Sequence, residues 1–283
     1  MAILAALGGA LFIGSADFLG GLAARSTRSV FSTLCVNSVA LTLFVVAWIA
    51  VRPHLDDQEV LLGLGAGLVN AVGLNLIYAA FAAGTISVAA PIIACGSALV
   101  PTVTAAVAGE PPMPLQFLGI GWVLAGVVAI TIVPPGSPEH VPLSRHALIL
   151  TSIASLVGGV SFSILLLATR HGDAATAVGV SSLSRLSATL MCLLFALAIL
   201  RGHRPPMPTV RPVLAAGTFE CCGTVLFLTA ATLGNSAVVA VIVSLYAIVT
   251  VFLAQTVLRE RIAFHQRLGI LAAAVGIALL SFG

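Results

Sequence analysis

Three ionisable side chains lie deep inside apolar stretches of this 283-residue chain: Glu220, Arg185 and Asp17. A charge at the centre of a membrane-length apolar segment costs about 2.5–3.5 kcal/mol by insertion scales, so each is a functional candidate unless a partner explains it. Glu220 lies about nine residues into its stretch, about 14 Å at 1.5 Å per residue, near the middle of a ~30 Å hydrocarbon core. A carboxylate there can couple a proton or contact a substrate; the competing reading is a buried Glu paired with an Arg or an amide for packing specificity. Arg185 keeps its charge at any depth and must face an anion, backbone carbonyls or a wet cavity. It either binds a substrate carboxylate or phosphate, or neutralises Glu220 or Asp17 as a fixed ion pair. Asp17, two turns before Arg25, either serves the same cavity or is a shallow residue reaching interfacial water.

Other polar groups extend this constellation. Asn70, Asn75 and Tyr78 would be costly facing lipid and are expected to point inward, while Thr224, one turn after Glu220, shares its face and can donate to it. Pro91, Ser97 and Tyr246 are candidate cavity-lining residues, because Pro91 and Pro101 free backbone carbonyls from the helical ladder and such irregularity is tolerated where it faces protein or a wet cavity. Glu110 and Glu260, followed six residues later by Gln116 and Gln266, fall at span ends. They are expected to do structural work there, such as hydrogen bonding to the start of the next helix.

Several chemistries are excluded. All twelve basic residues are Arg, so a Schiff-base or phosphate-loop lysine is ruled out. HExxH, GxSxG and GxGD patterns are missing, and His54, His140, His146, His171, His203 and His265 make no i, i+4 metal pair. Cys35, Cys95, Cys192, Cys221 and Cys222 have neither disulfide nor CxxC spacing and read as packing residues. No catalytic residue, metal or cofactor is expected.

The elements that position these residues follow from composition. At 60% hydrophobic and 7% charged, with mean hydropathy +1.18, the chain belongs in a bilayer rather than in water. Ten spans of about 20 residues would leave too little chain for a soluble domain, which argues against nucleic-acid binding. Breakers and charges place these spans near 2–23, 30–51, 60–82, 86–108, 115–133, 147–168, 174–199, 211–232, 236–257 and 265–282. Met1 to Ala24 lacks a positive leader and reads as a retained first helix. The Pro-rich 134–145 stretch reads as a linker between a first unit, 1–133, and a second, 146–283.

A shift of 150 residues superimposes one half on the other. Gly84 meets Gly234, Glu110 meets Glu260, Gln116 meets Gln266, Leu118-Gly119-Ile120 meets Leu268-Gly269-Ile270, and Asn70 meets Glu220. Five helices per copy is odd, so the second copy enters the membrane from the opposite side. The expected fold is an all-α membrane protein of ten transmembrane helices in two inverted five-helix repeats, with a shared cavity at the midplane.

The chain resembles the EamA-like transporters of the drug/metabolite transporter superfamily. The likeness rests on Gly14-Ser15-Ala16-Asp17-Phe18-Leu19-Gly20-Gly21 with Arg25 closing the first helix, on Gly84 to Glu110 running into Gln116 and Gly119, and on that stretch's copy from Gly234 to Glu260, Gln266 and Gly269. The resemblance implies alternating access around a cavity lined by helices 1, 3, 4, 6, 8 and 9, and export or uptake of a small metabolite. The expected partners are the lipid bilayer, a small-molecule substrate such as an amino acid or drug, and protons as a candidate coupling ion. A multi-pass protein of the cell membrane is expected; a receptor or assembly factor on the same scaffold is the alternative. Arg distribution puts both termini outside whereas the resemblance implies the reverse, and the oligomeric state is left open.

Overall fold

The computed structural model describes residues 1–107, 114–131, 144–170, 172–199, 210–233, 239, 242–260 and 264–281. They form helices α1 (Ala2–Ser26), α2 (Ser29–Val51), α3 (Asp57–Ala83), α4 (Ile86–Val107), α5 (Pro114–Thr131), α6 (Arg145–Thr169), α7 (Ala174–Ile199), α8 (Val210–Leu233), α9 (Tyr246–Val257) and α10 (Phe264–Ser281). There is no strand among the described residues. Six of the helices, α1, α2, α3, α6, α7 and α8, are long and apolar enough to cross a membrane, and shorter apolar segments run over Ile86–Pro101, Ile242–Val257 and Arg267–Gly276. Their outward faces carry large apolar side chains, among them Leu4, Ile49, Leu61, Leu194 and Phe252, as a lipid-facing surface requires.

Local chemistry sets several helix ends. Asp56 Oδ1 accepts the Glu59 amide at 2.7 Å and the Asp56 amide donates back to Glu59 Oε2 at 3.0 Å, a reciprocal cap that starts α3. Ser144 starts α6 by accepting the Ala147 amide at 3.1 Å, and Asp173 starts α7 by accepting the Thr176 amide at 2.8 Å. Within the ninth expected span, 236–257, a turn at Leu245 separates helical residues 242–244 from α9.

The helices pair α1 with α8, α3 with α6, and α5 with α10, with further contacts of α2 with α7 and α8, α7 with α3, α4 with α6 and α9, and α1 with α9. Small residues allow these approaches. A Cβ at Gly67 would overlap the backbone of Ser184 and the hydroxyl of Ser187, and one at Gly96 would overlap Ser155. Ser155 also enters the ladder of α4: its hydroxyl donates to Ile92 O at 2.8 Å and accepts the Gly96 amide at 3.0 Å. Those two groups would pair with each other in an undisturbed helix. The interruption sits between Pro91 and Pro101, both inside α4, in the irregular stretch that the two prolines predict.

Candidate functional site

A cavity of about 110 Å³ opens among α1, α3, α4, α6, α7, α8 and the start of α9. Helix α7, which the resemblance did not include, supplies its central group, Arg185. The guanidinium Nη2 lies 2.6 Å from Glu220 Oε1 and donates to Thr224 Oγ1 at 3.1 Å. Its Nη1 donates to Asn37 Oδ1 at 3.2 Å and, at 3.5 Å, to Asn70 Oδ1. The pair is deeply buried, with side chains 6% and 12% exposed for Arg185 and Glu220.

The ion-pair partner of Arg185 is Glu220 rather than Asp17. Thr224 turns its oxygen to the guanidinium, accepting from Arg185. Asn70 and Glu220, which the 150-residue shift equates, meet on one guanidinium.

Asn37 escaped the sequence reading. It is fully buried on α2, and its own Nδ2 donates to Thr33 O at 3.0 Å. The available signal was the one carboxamide of α2, which costs free energy in an apolar setting unless it finds a partner.

Asp17 lines the same cavity and is only 6% exposed. Among the described residues its carboxylate makes no hydrogen bond or ion pair. Ser97 and Tyr246 face each other across the cavity wall, hydroxyl to hydroxyl at 3.4 Å, joining α4 to α9.

Three candidates are not brought to the cavity. Tyr78 is buried against Gly20, whose missing Cβ makes room for the ring. Asn75 pairs with Ser29 Oγ at 3.4 Å, one helical face away from Asn70. Pro91 is buried inside α4 and shapes the backbone without touching the cavity.

Glu260 does structural work, but not on the next helix. Its Oε2 accepts the Ser87 amide at 2.9 Å and its Oε1 the Ile86 amide at 3.3 Å, at the start of α4. A left-handed residue after α9, Arg259 with φ 55°, turns the chain so that the carboxylate points back into the bundle. The start of a helix carries unpaired amides and positive potential, which is what a carboxylate satisfies. Glu110 lies outside the described residues. Gln116 and Gln266 fall on α5 and α10, with side chains outside the described set.

No group of three or more His, Cys, Asp or Glu that could hold a metal occurs among the described residues.

A family model described as the EamA-like transporter family matches residues 1–132 and 147–282. No match is found among the curated proteins. Solved structures do match, 14 chains in all. One crystal structure, 15% identical, aligns over 96% of this chain and 96% of its own with TM-score 0.66, a likeness of fold alone.

Proposed function

Because the chain belongs to the EamA-like transporter family, and so is a multi-pass membrane transporter of the drug/metabolite type, we propose that it moves a small metabolite by alternating access through the Arg185–Glu220 cavity. The observation that carries this reading is the make-up of the wall. Asp17, Asn70 and Ser97 from the first half meet Arg185, Glu220 and Tyr246 from the second, so a rocking of one half against the other would reshape it.

The halves are proposed to be inverted repeats, 1–133 and 146–283, joined by 134–145. Helix pairing supports this. Exchanging each helix for its counterpart five places along turns α1 with α8 into α6 with α3, α1 with α9 into α6 with α4, and α2 with α8 into α7 with α3, all of which occur. A structure that is equivalent under that exchange has a second conformation of similar energy, with the two halves' roles swapped, and rocking between the two is what alternating access uses.

Proton coupling, if present, is assigned to Asp17 rather than to Glu220. Glu220 is engaged by Arg185, and protonating it would break a buried ion pair and strand the guanidinium. Asp17 has no such partner among the described residues. The ionisable groups around it are Glu220 on α8 with its Arg185 on α7, Tyr78 on α3 and Tyr246 on α9. The test is flux in proteoliposomes with and without an imposed pH gradient. Asp17→Asn is expected to abolish gradient-driven accumulation, and Glu220→Gln to reduce folded yield. Gradient-driven transport that survives Asp17→Asn would remove the proton assignment; folded protein with no flux of any metabolite tested would count against transport itself.

A further inference from the structure

We propose that the cavity takes a small organic monocation, an amine or quaternary ammonium with an apolar body, held by its charge against Asp17. The inference rests on the reading of the cavity as a transport site and names the substrate class for it. It starts from a charge count. The wall carries two carboxylates, Asp17 and Glu220, and one guanidinium, Arg185, so with all three ionised it is one negative charge in excess. Arg185 is already committed: Glu220, Thr224, Asn37 and Asn70 occupy its two terminal nitrogens. A substrate carboxylate would have to displace Glu220 to reach it, leaving a second buried carboxylate unpaired. A zwitterion therefore gains little at its acid end, and an anion would meet an unbalanced negative wall. A monocation cancels the excess.

The remainder of the wall suits such a molecule. Asp17 is nine-tenths buried and lines the cavity without a partner among the described residues, and a buried carboxylate in that position attracts a cation far more strongly than one in water. The same wall carries Ile13, Phe162, Phe227 and Tyr246. Phe162 and Phe227 stack with centroids 4.6 Å apart, and aromatic faces favour ammonium groups as well as apolar bodies. The volume of about 110 Å³ suits a small molecule.

A proton and the cation would compete for the one carboxylate. Binding of a permanently charged cation should therefore weaken as pH falls, with Glu220, Arg185, Tyr78 and Tyr246 the other ionisable groups bearing on Asp17.

The experiment measures ligand-dependent thermal stabilisation of the purified full chain, followed by flux in proteoliposomes, with small probes that differ in charge: phenethylamine and choline as cations, 2-phenylethanol as neutral, phenylacetate as anion and phenylalanine as zwitterion. The expected result is that a cation binds at least about tenfold more tightly than the neutral probe, the size of effect one buried charge pair supports. That preference should disappear in Asp17→Asn and persist in Asp17→Glu, with folding of each variant checked by size exclusion; if the Asn variant does not fold, the weakening of choline binding at low pH in the wild type stands in for it. Preferred binding and flux of phenylalanine or phenylacetate would overturn the substrate class and leave the transport reading standing. No binding and no flux of any probe by folded wild-type protein would overturn both.

Discussion

The carboxylate of Glu260, just beyond α9, closes on the guanidinium of Arg25, at the end of α1, at 2.7 Å across 235 residues of sequence. Neither group stops at its partner. Arg25 also donates to Phe81 O at 3.2 Å and Gly84 O at 3.0 Å, at the end of α3, while Glu260 accepts the first amides of α4. One junction thus ties the ends of α1, α3 and α9 to the start of α4, satisfying orphan carbonyls with a cation and orphan amides with an anion.

Glu260→Ala is therefore expected to lower stability by roughly 1.5–3 kcal/mol, the range for hydrogen bonds to charged groups. The double exchange Arg25→Glu with Glu260→Arg should not restore it. A carboxylate at position 25 would face carbonyls, and a guanidinium at 260 would face amides. Thermal unfolding in detergent reads both, and full recovery in the exchanged protein would reduce the junction to an ordinary ion pair.

Removing Arg185 should be costlier than removing the pair. Arg185→Ala leaves Glu220 buried and uncompensated, an expected loss of about 3–5 kcal/mol. It also leaves Asn37 and Asn70 without their donor. Arg185→Ala combined with Glu220→Ala should lose less than Arg185→Ala alone. A double-mutant cycle measures the coupling, and additive losses would contradict the geometry.

Two glycines in apolar helices should respond oppositely to the same added methyl group. At Gly96 a Cβ would overlap the Ser155 backbone and hydroxyl, so Gly96→Ala must part α4 from α6, an overpacking cost of about 1–3 kcal/mol. At Gly65 a Cβ meets nothing within 4 Å, so Gly65→Ala should be neutral or stabilising by up to about 1 kcal/mol through helix propensity. Melting temperatures of the two variants, compared with wild type, decide this.

Asp173 links stability to acid pH. It lies in the short connection between α6 and α7, where the Thr176 amide hydrogen bond holds its carboxyl below the usual carboxylate range. A folded-state value lower than the unfolded one contributes stability that is fully present above the unfolded value, near 3.9, and is lost as pH falls through the folded one. Asp173→Asn should therefore flatten the decline in stability below about pH 4 while keeping a cap for α7. An unchanged acid limb in thermal melts taken across that range would show that the cap is not coupled to proton uptake.

Read alone, the sequence determined the helical class and its near-complete burial in apolar surroundings, because these depend on composition and on runs of about 20 residues that any window along the chain reveals. It also singled out Glu220, Arg185 and Asp17, since the cost of a charge in an apolar segment is a property of that segment, whatever it packs against. Which charge meets which was beyond it. Arg185 reaches helices α2, α3 and α8 at once, and only the crossing of those helices decides that Glu220 is paired while Asp17 is left facing the cavity. The same holds for Asn37, Tyr78 and Glu260. A helix fixes the direction of each side chain around its own axis but says nothing about its neighbour, and the partner that turns a buried polar group from a cost into a bond arrives from elsewhere in the chain.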